Sequence, residues 1–364
     1  MTKTRISNGM FIAMLINLCF VKSIGVTQGV LARSVGQDMW IATLLGTIQG
    51  IGVIYLTYLV IRKMPDKNIM EIGESLLGGW FGRAIGLIVF VFFAAGIGPL
   101  MLTFVYHLQE YFLPEAPRVL FVAAAMAVGM VGCYYGLEVM ARIALVGILF
   151  IFLLNALIVV GSVDEFDIRN LLPVLESGFP RTLAASIHLD SDWALSTMLA
   201  ALIYPAAKDF RQRGALLGIV AIAASGLLII IWSLLEGAVL SAEVTSQYTL
   251  SCMKLARNAH IGHFLQRYEM IMISLYSIPM LFEVMICLYG ATLGAAKLCG
   301  LKTNTRTVLP AGIVLGVFGY WIVEDHFVAL YYLERIWPWI ALPIAVGLPV
   351  TMLIVQALFG GRKT

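Results

Sequence analysis

The chain has 364 residues, of which 60% are hydrophobic and only 12% are charged, with a formal net charge of +3 and a mean hydropathy of +0.92. A soluble domain carries roughly 25% charged residues, so this composition excludes an ordinary soluble protein and indicates an integral membrane protein. The small positive charge gives no reason to expect a nucleic-acid partner. The five cysteines show no C-x-x-C spacing and predict neither a disulfide framework nor a metal site.

Apolar stretches long enough to cross a bilayer occur ten times, since a hydrocarbon core of about 30 Å needs roughly 20 apolar residues per helix. Two of the connections, Gly161–Arg181 and Ser241–His263, are long and mix apolar, proline and polar residues, which predicts ordered caps with short helices. The amphipathic pattern of Asn68–Trp80 predicts a further helix at the membrane interface. The ten predicted spans are Gly9–Val35, Met39–Ile61, Trp80–Phe112, Arg118–Tyr135, Val139–Val160, Thr182–Ala207, Ala215–Leu240, Phe264–Cys299, Val308–Val323 and Ile336–Phe359.

The distribution of basic residues predicts the orientation of these spans. Placing the amino terminus inside puts most lysine and arginine residues in the inner connections, while acids such as Glu110, Asp164 and Glu324 collect in the outer ones. Cytoplasmic connections of membrane proteins are enriched in basic residues. We therefore expect both termini to be cytoplasmic.

The ten spans divide into two halves of five. Because five is odd, the second half enters the membrane from the opposite side to the first half. We therefore expect a single all-α transmembrane domain built as an inverted repeat. Its first five-helix repeat would cover residues 1–160, a cap loop 161–181, and the second repeat 182–364. In such folds the first helix of each half, here span one and span six, is commonly broken at mid-membrane.

Span one is interrupted at Ser23–Gly29 by polar side chains and glycines. A broken helix would expose backbone groups to a ligand there, and glycine eases the bend. The alternative is that Gly25 and Gly29 form a small-xxx-small packing pattern. If the helix is broken, Gly25→Leu should be disruptive and Gly29→Ala milder, because alanine keeps a small surface. Lys22 is either a functional cation or the structural partner of an acid.

Span six gathers polar residues at its centre, among them Asp190, Asp192 and Ser196. The apolar stretch that follows, Ala194–Ala207, reaches only about 21 Å as a helix and is too short to cross alone. It therefore needs Leu183–Leu189 as an outer half, with the polar residues at or near the join. The alternative is that Asp190 and Asp192 belong to the outer cap.

No motif in the sequence indicates an enzyme, and no cofactor or metal is expected. A Walker-type phosphate loop, an H-E-x-x-H motif, a nucleophile elbow and a Cys/His cluster are all lacking. Two classes of function remain open. One is a secondary transporter, and the other is a receptor or channel subunit that keeps the transporter architecture.

One motif resembles a known family. The segment "QEYFLPEAPRVL", Gln109–Leu120, is similar to the Leu-Pro-Glu-x-Pro signature after the third span of the spore germination B-subunit permeases, the GerAB-type proteins of the amino acid–polyamine–organocation superfamily. The ending "IYP" at Ile203–Pro205 and "FLQRYEMIMI" at Phe264–Ile273 fit the same family, and the resemblance covers nearly the whole chain.

The resemblance implies a LeuT-like fold in a bacterial cell or spore inner membrane. It also implies a small nutrient germinant such as an amino acid, with an A-type soluble-domain subunit and a C-type lipoprotein subunit as partners. The alternative is an ion- or proton-coupled amino acid transporter of the same superfamily.

We expect a zwitterionic ligand between the two broken spans. Its polar ends would be held by backbone groups of span one and by the join of span six, and four side chains would form the wall. Lys22 and Glu283 would serve as an ion or charge relay, or pair structurally. The candidate ligand-binding residues are Gly25, Val26, Thr27, Met101, Phe104, Asp192, Ser196, Tyr276 and Ser277.

Overall fold

The computed structural model describes residues 5–262 and 267–359, apart from the side chain of Lys22. The described chain is predominantly helical, as the sequence predicts, and Ile6 and Ala207 form an isolated parallel bridge. The predicted beginning of span eight at Phe264 lies outside the described residues.

The first predicted repeat holds the helices from the amino-terminal end to the fifth predicted span. They are α1 (Asn8–Lys22), α2 (Gln28–Val35), α3 (Met39–Arg62), α4 (Ile69–Leu77), α5 (Gly79–Tyr111), α6 (Arg118–Tyr135) and α7 (Leu137–Ser162).

The cap loop and the second predicted repeat hold the remaining helices. They are α8 (Phe179–Ala185), α9 (Ile187–Ile203), α10 (Phe210–Leu235), α11 (Ala242–Gln247), α12 (Ser251–Asn258), α13 (Tyr268–Leu298), α14 (Thr305–Glu324), α15 (His326–Tyr331) and α16 (Trp337–Phe359).

Eight helical stretches of the described residues are long and apolar enough to cross a membrane. One of them, Asn8–Arg62, contains both of the first two predicted spans, because a 3-10 turn at Gly36–Asp38 links α2 to α3. The sixth predicted span is not among the eight, since α9 has only 17 residues. The other seven stretches correspond to the remaining seven predicted spans.

The interruption of span one is a π-helical turn at Ser23–Thr27, between α1 and α2. All five residues of the turn are buried. The chain thus widens its helix at the predicted place and does not unwind into a loop. A π-helical turn shifts the hydrogen-bonding register of a helix, and such turns occur frequently at functional sites.

The interruption of span six lies at Ser186, between α8 and α9. This join is earlier in the chain than the polar group around Asp192, which instead lies inside α9. A 3-10 turn at Tyr204–Ala206 ends the span on its other side. Pro205 favours this ending, because proline has no backbone N–H with which to continue an α-helix.

Helices occur where the sequence predicts the interfacial helix and the two ordered connections. Asn68 and Glu71 form a capping box that begins α4, which satisfies backbone groups at the end of this short helix. The connection Gly161–Arg181 contains a 3-10 turn and the start of α8, and Ser241–His263 contains α11 and α12. We call α11 and α12 together the cap, because they pack on α2 and on the π-helical turn of span one.

The core is organised around two helices. α13 packs against α5, α6, α7 and α14, while α1 packs against α7, α9 and α10. α1 also contacts α13, and this arrangement places the π-helical turn of span one deep in the molecule. The polar residues of that turn therefore need partners from other helices, because a buried polar group without a hydrogen bond is costly.

Candidate functional site

The carboxyl group of Asp192 on α9 joins span six to span one. Ser23 and Thr27, at the two ends of the π-helical turn, both donate hydrogen bonds to its Oδ2 atom, over 3.0 and 2.7 Å. All three side chains are buried. A buried carboxyl oxygen needs such partners, because a buried polar group without a hydrogen bond is costly. Asp192 therefore fastens the interrupted part of span one to α9.

Ser196 makes a second connection between the same two helices. Its hydroxyl donates a hydrogen bond to the Leu15 carbonyl over 3.1 Å, and the Cys19 thiol lies 2.8 Å from its Oγ atom. Because the serine proton is used on Leu15, the thiol is the donor of the second bond. Ser196 thus acts one helical turn beyond Asp192, within a contact that holds α1 against α9.

Three side chains fill the space next to Gly25. A Cβ atom at this position would lie 2.7 Å from Thr103 Cγ2, 3.4 Å from His107 Cε1 and 3.4 Å from the Tyr276 hydroxyl. Tyr276 donates a hydrogen bond to the Val21 carbonyl, and its ring lies 5.3 Å from the His107 ring. Glycine is therefore required here by close approach. Val26 is buried in the same turn.

The cap closes over this group. Cys252 of α12 lies 3.6 Å from the Gly25 carbonyl and 3.5 Å from His107 Nε2. His107 Nδ1 lies 2.6 Å from the Thr103 carbonyl, which can only accept, so Nδ1 carries the proton. A Cβ atom at Gly29 would lie 2.6 Å from the Tyr248 backbone oxygen. This contact contradicts the expectation that Gly29→Ala is mild, because a backbone oxygen cannot rotate away.

The four residues predicted to form the wall of the ligand site do not lie together in the structure. Tyr276 faces Gly25, whereas Met101 packs towards α14, where a Cβ atom at Gly319 would lie 2.8 Å from its Cγ. Ser277 donates a hydrogen bond over 2.5 Å to Ile273 of its own helix. Phe104 is buried on α5, but the side chains of that helix nearest to Gly25 are Thr103 and His107. The structure therefore brings Tyr276 to Gly25 and places Met101, Phe104 and Ser277 away from it, and their role in ligand binding stays a prediction.

A second buried carboxyl group, that of Glu283 on α13, lies near the same centre. Cys19 is within electrostatic reach of both Asp192 and Glu283, and so is the Tyr276 hydroxyl. Lys22 ends α1 beside the π-helical turn, but its side chain lies outside the described residues. The predicted relay between Lys22 and Glu283 therefore stays a prediction.

Several residues of the site escaped the sequence analysis. The residues that lie beside Gly25, Asp192 or Ser196 but are not among the predicted site residues are Cys19, Ser23, Thr103, His107 and Cys252. Their only local signal is that all five side chains are polar or polarisable within or beside apolar helices, which does not indicate where they meet.

The site is enclosed. Its described part combines the two buried carboxyl groups of Asp192 and Glu283 with the Val21 carbonyl, which accepts the Tyr276 hydroxyl. Burial raises the pKa of the Cys252 thiol well above its usual value. At neutral pH this side chain is therefore a thiol and not a thiolate. Among the described residues, no three His, Cys, Asp or Glu side chains are placed to hold a metal ion.

Sequence comparison assigns the chain to a family. The family model described as "Spore germination protein" matches residues 5–326. Spore germination protein KB of Bacillus subtilis is 26% identical over 330 residues, covering 86% of this chain and 84% of that protein. Spore germination protein A2 of the same organism is 27% identical, covering 81% and 80%. GerQB of Bacillus cereus is 26% identical, covering 79% and 78%.

Solved transporter structures share the fold. MhsT in complex with L-phenylalanine superposes with a TM-score of 0.62 at 13% identity, covering 98% of this chain and 99% of that chain. Mhp1 gives 0.72 at 11% identity, covering 97% and 79%, and a Na+-coupled sialic acid symporter gives 0.66 at 12%, covering 96% and 79%. These neighbours confirm the predicted LeuT-like fold, and neighbours and family are compatible with a protein that is not an enzyme. The chain belongs to the spore germination protein family, whose members are integral membrane permeases of the GerAB type.

Proposed function

We propose that this protein is the membrane subunit of a nutrient-germinant receptor that binds a small nutrient such as an amino acid and signals germination. It would lie in a bacterial cell or spore inner membrane with both termini cytoplasmic. Its partners would be an A-type and a C-type receptor subunit. The observation that carries the proposal is the contact of Asp192 with both ends of the π-helical turn, beside a glycine that three side chains surround.

The electrostatics of this group suit a zwitterion. The Val21 carbonyl and the carboxyl group of Asp192 offer acceptors for an ammonium. A carboxylate would bind the backbone N–H groups at the start of α2 once the π-helical turn opens, because opening would end the continuous helix there. The ligand would replace the Tyr276 hydroxyl on Val21 and the Cys252 thiol near Gly25, because these groups now occupy the acceptors.

Such a replacement can produce a signal. Cys252 belongs to the cap, and Tyr276 belongs to α13, so a ligand that displaces both changes the contacts of two separate elements with span one. A ligand shifts a conformational equilibrium only by the difference between its affinities for the two states. The state without these two hydrogen bonds would be the one that the ligand favours.

The alternative is a secondary transporter of amino acids, coupled to ions or protons. The fold neighbours favour this alternative, since one of them is a Na+-coupled sialic acid symporter. Buried carboxyl groups such as Glu283 are also typical of ion and proton pathways in membrane proteins.

Reconstitution of the isolated chain into liposomes separates the two functions. A receptor subunit should bind the nutrient with little accumulation, and deletion of the gene should block germination by one nutrient without impairing growth on it. Concentrative uptake driven by an imposed sodium or proton gradient would contradict the receptor proposal. The control is Asp192→Asn protein at equal abundance. It should bind less nutrient whether the protein is a receptor subunit or a transporter, so it shows that the measured binding occurs at this site.

A further inference from the structure

A third carboxyl group, that of Glu236, lies beneath the cap and belongs to neither function described so far. Glu236 begins the π-helical turn Glu236–Leu240 that follows α10, and its side chain is fully buried. This turn packs against α11, α12 and the 3-10 turn Ile168–Leu171. The backbone carbonyl of Glu236 accepts a hydrogen bond from the Thr245 hydroxyl of α11 over 3.1 Å. Glu236 is therefore held at the contact between the membrane helices and the cap.

The carboxyl oxygens of Glu236 accept no hydrogen bond of ordinary geometry from the described residues. The Ser251 hydroxyl of α12 lies near the carboxyl group, but it too makes no hydrogen bond of such geometry. No described lysine or arginine forms an ion pair with Glu236. This differs from Asp192, which accepts two hydrogen bonds.

The charged side chains on the elements that pack against Glu236 do not contact its carboxyl group. Glu243 of α11, Arg169 of the 3-10 turn and Arg257 of α12 are exposed, and Lys254 of α12 lies over the Tyr248 ring at 5.9 Å. The buried titratable group of these elements is the thiol of Cys252, which is uncharged at neutral pH because burial raises its pKa. Among the described side chains, none places a compensating positive charge at Glu236.

An isolated carboxylate in an enclosed apolar place is far less stable than the neutral carboxylic acid. We propose that Glu236 is a proton-binding site under the cap, which holds its proton while α11 and α12 are packed over it. The proton passes from the carboxyl oxygen to water when the cap lifts and the group becomes hydrated. Lifting of the cap therefore releases a proton, and closing takes one up.

This linkage has a definite sign. A hydrated glutamic acid releases its proton near its ordinary pKa of about 4.3, whereas the covered group retains it at higher pH. Between these two values the lifted state binds fewer protons, so rising pH favours lifting of the cap, by about tenfold in the equilibrium constant per pH unit. The closed cap is most stable at low pH.

Amide hydrogen exchange of α11 and α12 in the purified full-length protein tests the proposal. After correction for the intrinsic pH dependence of exchange, protection of the wild-type cap should fall as the pH rises from about 5 to about 9. In Glu236→Gln, an uncharged group of the same shape replaces the neutral acid, so protection should stay constant over this range. Glu243→Gln is the matched control, because it removes an exposed carboxylate from the same cap and should retain the wild-type profile.

Three results would overturn the proposal. Wild-type protection that does not vary with pH would do so without any variant. A Glu236→Gln profile like that of the wild type would place the proton on another group. Loss of wild-type protection at constant pH when sodium and potassium are replaced by N-methylglucamine would show that Glu236 binds a metal cation and not a proton.

Discussion

One carboxyl oxygen of Asp192 accepts hydrogen bonds from two hydroxyl groups, so a substitution can remove one bond and leave the other. Thr27→Val keeps the shape of the side chain but removes the donor at 2.7 Å, which should weaken the contact by about 1–3 kcal/mol. We expect a reduced response to the nutrient at normal protein abundance, and a larger reduction in Asp192→Asn. Germination rate and immunoblots of spore membranes measure both. Asp190→Asn is the control, since Asp190 is not the acceptor of Ser23 or Thr27.

Gly25 allows a test by rescue. Gly25→Ala brings a methyl group to 2.7 Å from Thr103 Cγ2, so we expect weaker nutrient binding. Thr103→Ser deletes that methyl group and keeps the hydroxyl that donates to Pro99, so the double variant should regain much of the lost affinity. Equilibrium binding to the purified protein gives both values. Gly52→Ala is the control, because no atom lies within 4 Å of a Cβ there. No recovery in the double variant would contradict the contact.

At the scale of elements, the cap depends on the contact between α2 and the Tyr248 backbone. Gly29→Ala should push the cap outward and expose Cys252, because the added Cβ would lie 2.6 Å from the Tyr248 oxygen. In a Cys299→Ser background, which removes the exposed cysteine, maleimide should label Gly29→Ala protein faster than the parent. The parent should react slowly at neutral pH, since Cys252 is buried and its pKa is raised.

Equal labelling of Gly29→Ala and its parent would show that the cap tolerates the methyl group, as the sequence suggested. Cys19, Cys133 and Cys287 are buried in helices of the membrane core and should not contribute to the signal. The same background with Gly52→Ala should label like the parent.

At the scale of the whole molecule, the orientation predicted from charge can be tested directly. Asp167 and Asn258 lie exposed in the two long connections, on the α7–α8 segment and at the end of the cap. Single cysteines at both positions should react with an impermeant reagent applied from outside intact cells. Protection of both until lysis would reverse the orientation, and protection of only one would contradict the inverted repeat.

Features that depend on local composition could be predicted from the sequence. Hydropathy predicted the spans, the amphipathic pattern predicted α4, and the polar residues of Ser23–Gly29 located the interruption of span one. The Leu-Pro-Glu-x-Pro segment at Gln109–Leu120 indicated the family. These signals lie within single segments, because a membrane helix satisfies its own backbone and is selected for apolar residues along its own length.

The tertiary structure alone decided which residues meet. Thr27 and Asp192 are 165 positions apart, and Cys252 reaches Gly25 across 227. Helices that are apolar on every side give no amphipathic signal for the face that meets a neighbour, which is why the sequence does not indicate that Met101 packs against α14. The same reason applies to Gly29, whose tolerance of a methyl group is set by a backbone oxygen of the cap and not by its own neighbours in the chain.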